Sequence, residues 1–134
     1  MLRPPFVRPE AMQWLLLFVG GGLGAVARFG LGSWVLTRVG EGFPWGTLCV
    51  NWLGCAAIGV AAAALAGGAQ GPSVRLFFVT GLLGGFTTFS AFGLETFELL
   101  ADGEASRAFL YVAGSVAGGL AAVALGFTLA RAAG

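Results

Sequence analysis

Apolar residues fill four long stretches of the chain, and the charged residues gather in the gaps between them. The uncharged or nearly uncharged runs cover residues 15–36, 46–69, 76–100 and 108–130, with Arg28, Glu95 and Glu98 as the charges inside them. A helix needs about 20 mostly apolar residues to cross a bilayer. The pattern therefore predicts an all-α membrane protein. Its four transmembrane helices cover about 14–37, 46–69, 75–100 and 106–131, in one domain that takes up 1–134. Trp14 and Trp45 stand at run edges, where indole rings favour the headgroup level.

The third run carries its own interruption. Residues 81–92 read Gly-Leu-Leu-Gly-Gly-Phe-Thr-Thr-Phe-Ser-Ala-Phe. The paired glycines lose backbone entropy in a helix, and the two threonines are β-branched. The middle of this span is predicted to break. Backbone groups freed at that depth find no partner in lipid, so they must face protein, water or an ion.

Composition supports the membrane reading and removes other classes. The chain is 57% hydrophobic and 10% charged, where soluble domains carry about 25% charge. A net charge of +1 argues against nucleic acid, which calls for a basic patch. There is no histidine. Cys49 and Cys55 lie six apart on different helical faces, which predicts buried, reduced, structural thiols. Neither a nucleophile–base pair nor a phosphate loop is present, so an enzyme is not expected. Residues 1–9 hold three prolines and two arginines and predict a disordered or interfacial tail. Residues 68–73 predict a short turn, with Pro72 placed to open the next helix. Arg3 and Arg8 precede the first run, but three more runs follow, which favours a first span over a signal peptide.

Four spans put both termini on one side. That side carries Arg3, Arg8, Arg75 and Arg131, and the other carries Arg38 and Arg107. Positive residues favour the cytoplasm, so the bias mildly prefers termini inside. So small a bias permits insertion in both orientations. Two opposed copies would then bring their third-span breaks together near the midplane.

Several polar positions interrupt the apolar faces. Gly20, Gly24, Arg28 and Gly32 recur every four residues, and small residues at that spacing let helices approach closely. Arg28 lies roughly 12 Å from the end of its run, where it either faces a water-filled vestibule or snorkels to the surface. Thr47, Asn51 and Cys55 form a polar stripe on the second span. The Asn51 amide either bonds a neighbouring helix or replaces a water around an anion. Glu95 is the deepest carboxylate and suits a pore mouth; solvation at the membrane edge is the alternative. Tyr111, Ser115 and Gly119 share a face of the fourth span. Phe86, Phe89 and Phe92 recur every three residues. Their ring edges carry partial positive charge, which can contact an anion without trapping it; lipid contact or core packing is the alternative for each ring. Ser90 adds a hydroxyl among them.

The run Gly84-Gly85-Phe86-Thr87-Thr88-Phe89-Ser90-Ala91-Phe92 resembles the signature of the CrcB/Fluc fluoride channel family. Gly24-Ala25-Val26-Ala27-Arg28-Phe29 is similar to that family's first-helix motif, and Gly46-Thr47-Leu48-Cys49-Val50-Asn51-Trp52-Leu53-Gly54 to its second. The resemblance implies a dual-topology homodimer of antiparallel copies, with two fluoride pores, exporting fluoride passively across a bacterial inner membrane. It implies that Phe89 and Phe92 meet fluoride by ring edges, with Asn51, Ser90, Tyr111 and Ser115 as polar pore residues and Arg28 and Glu95 in the vestibules. It also implies a structural sodium ion on the dimer axis, held by backbone carbonyls of Gly84 and Thr87 from both copies. The chain departs from the pattern at Ala91, where threonine is usual, and at Gly119, where a serine is often found.

Two other functions suit four short spans. A small multidrug or cation exporter needs a carboxylate in mid-membrane, whereas Glu95 and Glu98 sit toward a span end. A structural membrane subunit would pack against partners and pass nothing alone.

Overall fold

The computed structural model describes residues 10–66 and 71–133. The predicted tail, with Arg3 and Arg8, lies outside them, as do residues 68–70 of the predicted turn and residues 67–69 of the second predicted span. The described residues are all-helical. Four helical stretches are long and apolar enough to cross a membrane: Ala11–Val39, Trp45–Ala64, Pro72–Ala101 and Ala105–Ala133. The third carries two labels, since residues 87 and 88 divide it: α1 (Ala11–Val39), α2 (Trp45–Ala64), α3 (residues 72–86), α4 (Phe89–Ala101) and α5 (Ala105–Ala133).

Local chemistry sets most of the ends. Gly40 stops α1 at φ 94°, a torsion that costs a glycine little, and its N–H returns to Leu36 O at 2.9 Å. Pro72 sits in the first turn of α3, where its missing N–H loses nothing. Residues 76–83 then widen to i→i+5 hydrogen bonding. Helical torsions stop at Thr87 (φ −85°, ψ 158°) and Thr88 (φ −148°, ψ 122°), both extended. They resume at Phe89, where the Thr88 hydroxyl caps the new helix by accepting from Ala91 N at 3.2 Å.

Gly84 and Gly85 stay helical, so the glycine pair is not where the torsions change. Gly85 serves approach instead: a Cβ there would strike Gly21 O of α1. Phe86 also ends α3 rather than sharing a helical face with Phe89 and Phe92, because the two extended residues intervene.

Two glycine seams build the body. Along the first, α1 lies against α3, and a Cβ on Gly20 would sit 2.8 Å from Phe77 O. A Cβ on Gly24 would run into Leu82 O. Along the second, α2 lies against α5, where Gly59 faces Val123 O and Gly126 faces Ala56 O. Small residues let backbones close in this way, because lipid offers no hydrophobic drive to hold helices together. The side-chain core is correspondingly small: Val35, Leu48, Val50, Ala108 and Tyr111. Many large apolar side chains point outward, among them Phe18, Phe29, Phe109 and Leu120, as a hydrocarbon solvent allows.

Candidate functional site

The site gathers around the two extended residues between α3 and α4. Ending α3 there strips its last carbonyls of their usual i+4 partners. The Thr88 N–H, which would serve Gly84 O in a continuous helix, donates to Asn51 Oδ1 at 2.9 Å. The Ala91 N–H, which would serve Thr87 O, is taken by the Thr88 hydroxyl. Thr87 is tied back to α3 twice, with its N–H and its hydroxyl both donating to Leu83 O at 3.0 and 3.1 Å.

Asn51 supplies the answering group from α2. Its Nδ2 donates to Thr88 O at 2.9 Å while its Oδ1 accepts from Thr88 N. The amide therefore bonds the interrupted third span rather than standing free. An amide nitrogen has two N–H groups, so one remains beyond the bond to Thr88.

One turn earlier on α2, Thr47 donates to Glu95 Oε1 at 2.6 Å. Tyr111, from α5, donates to Glu95 Oε2 at 2.5 Å and is 0% exposed. Glu95 is thus a carboxylate with a hydroxyl on each oxygen, joining α2, α4 and α5. The Phe92 and Tyr111 rings lie 5.2 Å apart, and the Phe89 and Phe92 rings 5.4 Å apart. Phe89 itself is 82% exposed.

Three cavities border this framework. One, of about 290 Å³, is lined by Arg28, Phe29, Gly32, Thr47, Thr88 and Ala91, among others. A second, of about 350 Å³, includes Asn51, Cys55, Thr88, Phe89, Phe92 and Ser115 in its wall. The Ser115 hydroxyl oxygen is buried without a hydrogen-bond partner among the described residues. The third, of about 480 Å³, carries Glu41, Glu95, Glu98, Asp102, Glu104 and Arg107. Thr88 borders the first two cavities, and Thr47 and Glu95 meet between the first and the third.

The candidate residues therefore fall into distinct places. Asn51, Phe89, Phe92 and Ser115 share one cavity, and Arg28 lies in another with Ala91. Ser90 is exposed, with its hydroxyl 3.3 Å from that of Thr88. Tyr111 is held under Glu95. Gly119 is buried beneath α2, where a Cβ would sit 3.4 Å from Cys55 Sγ. Both cysteines are free thiols. Neither Thr47 as the partner of Glu95 nor Thr88 as the residue that Asn51 holds is foreseen from the sequence. Spacing on one helix cannot reveal either bond, since 48 and 37 residues separate the partners.

This arrangement has known relatives. Residues 15–127 match the family described as CrcB-like protein, Camphor Resistance (CrcB). A protein named fluoride-specific ion channel FluC from Thermus thermophilus is 47% identical over 117 residues, covering 87% of this chain and 92% of that protein. Its namesake from Rhizobium etli is 46% identical over 122 residues, covering 90% and 98%. Another, from Chloroflexus aurantiacus, is 46% identical over 118 residues, covering 87% and 94%. With the match running through all four helical stretches, the chain belongs to the CrcB family.

Proposed function

We propose that this chain is a fluoride-selective channel of a bacterial inner membrane, passing fluoride passively and lowering its level in the cytoplasm. One observation carries the proposal. The third span loses helical torsions where the cavity of Asn51, Phe89, Phe92 and Ser115 meets it. A small, strongly hydrated anion must exchange its water for other partners in a narrow path. The ring edges of Phe89 and Phe92, the Ser115 hydroxyl, the spare N–H of Asn51 and the Ser90 hydroxyl are neutral groups of the right sign. Arg28 raises anion concentration at an entrance. Tyr111 and Glu95 shape the far end of the path. The relatives named as fluoride-specific channels support the same substrate.

The working unit in this proposal is a homodimer of antiparallel copies, with the broken third spans facing each other. Phe89 is 82% exposed and Ser90 and Gly84 are exposed beside it. A helix end with unpaired carbonyls does not face lipid. A second copy covers it. The carbonyls of Gly84 and Thr87 suit a sodium ion at that contact. Both have lost their i+4 donors to Asn51 and to the Thr88 hydroxyl, and neutral carbonyl oxygens suit a hard monovalent cation. Such an ion would supply positive charge between the carbonyl oxygens of both chains, which would hold it. The residues fit the ion, and they do the orienting.

Fluoride efflux from liposomes holding the purified protein tests the site. Phe89→Ile and Asn51→Asp are each expected to cut efflux by about a hundredfold, the scale of losing one well-placed electrostatic partner. If both variants conduct like the wild type, the residue assignment fails.

A further inference from the structure

We infer that Asn51 is a positioning residue, whose side-chain amide stands in for a strand's backbone and holds Thr88 extended. This deepens the channel proposal and rests on it for its functional consequence, although the bonds themselves do not.

The geometry is specific. Thr88 has the torsions of a β-strand, φ −148° and ψ 122°. In an antiparallel sheet such a residue exchanges both N–H and C=O with one residue opposite. Among the described residues no strand lies opposite Thr88. Asn51 takes that place, giving Nδ2–H to Thr88 O and receiving Thr88 N–H on Oδ1, both at 2.9 Å. A primary amide presents an N–H and a C=O on the same side, as the N–H and C=O of one extended residue do in an antiparallel pair. Aspartate can accept from the Thr88 N–H but, when ionised, opposes the Thr88 carbonyl. A leucine of similar shape does neither.

What the clasp controls follows from its place. Thr88 is the wall shared by the Arg28 cavity and the Phe89, Phe92 and Ser115 cavity. On one side of it is the Thr87 carbonyl, on the other the Phe89 ring. The Thr88 hydroxyl also starts α4 by capping Ala91. Holding one residue thus sets the carbonyl that suits the cation, the ring that meets the anion and the start of the helix between them. Replacing Asn51 therefore costs the pore more than the one spare N–H that meets the ion, because Thr88 is released as well.

Exchange of the Thr88 amide proton measures this, in full-length protein labelled with ¹⁵N-threonine and kept free of fluoride. Thr88 is assigned by the loss of its signal in Thr88→Ser. Thr37 and Thr128, on α1 and α5, report global folding. In wild type the Thr88 amide is protected. In Asn51→Ala it exchanges about tenfold faster or more, the factor that one net hydrogen bond supports. Asn51→Asp falls between the two. Thr37 and Thr128 keep their wild-type rates in both variants, while fluoride flux per folded protein drops. Equal Thr88 protection in wild type and Asn51→Ala overturns the inference.

A second measurement needs no variant. Fluoride titrated into wild type leaves Thr88 protection unchanged, because the anion uses only the spare N–H. Loss of that protection on adding fluoride means that the amide leaves Thr88 for the ion, and overturns the inference. Wild type that passes no fluoride refutes the channel proposal instead and leaves the Thr88 exchange result standing.

Discussion

The seam between α2 and α5 and the attachment of α4 solve the same problem by opposite means. Along the seam, Gly59 and Gly126 bring two helices to backbone contact, with no hydrogen bond needed from either glycine. The α4 segment has no buried residue of its own. It is held by side-chain hydrogen bonds: Asn51 to Thr88 at its start, and Thr47 and Tyr111 to Glu95 in its middle. Close packing suits a wall that stays dry and fixed. Polar bonds suit a segment whose backbone leaves the helix, where lipid would answer none of the freed donors and acceptors. The difference is backbone contact in the first region and side-chain hydrogen bonding in the second.

The largest expected effect breaks the seam. In Gly59→Ala the new Cβ runs into Val123 O, a backbone atom with no room to turn aside. The expected loss is about 3–5 kcal/mol, at the severe end for single substitutions, read as collapse of the folded fraction in detergent. Gly119→Ala, on the same side of α5, is the matched control. Its Cβ meets only Cys55 Sγ at 3.4 Å, so the cost stays under about 1 kcal/mol. Equal damage from both would erase the distinction between backbone contact and ordinary contact.

Next in size is the carboxylate of α4. Thr47→Val and Tyr111→Phe each leave one oxygen of Glu95 without its donor, at about 1–3 kcal/mol in thermal unfolding. Because the two hydroxyls share one carboxylate, their combined loss should depart from the sum by more than about 0.5 kcal/mol. Strict additivity would mean that the hydroxyls do not act through Glu95. The smallest effect sharpens the comparison rather than breaking it. Ala91→Ser adds a hydroxyl to the Arg28 cavity without touching either seam. Fluoride flux should change by less than about threefold, and stability by no more than about 0.5 kcal/mol as at an unconstrained position.

The two regions were not equally legible in the sequence. The four spans were, because exclusion of charge from a bilayer is written along the chain itself. Glycine spacing on α1 also foretold close packing, and Gly20 and Gly24 do meet α3. Within residues 81–92, composition drew attention to Gly84 and Gly85, which are helical and serve contact with α1, while Thr87 and Thr88 take the extended torsions. A glycine pair marks tolerance of close approach as readily as it marks a bend. The depth of Glu95 and the polarity of Asn51 were visible as anomalies on apolar faces. Their partners were not, since tertiary hydrogen bonds across 48 and 37 residues leave no periodic trace. Phe86 shows the same limit: a three-residue spacing means a shared face only while the helix continues.

The measurement that tests the central claim most directly is anion flux through the purified protein in liposomes, with fluoride and chloride compared side by side. The proposed channel, with Phe89, Phe92 and Ser115 as its anion partners, predicts rapid loss of fluoride and retention of chloride. Equal passage of both anions, or no passage of fluoride, would contradict it.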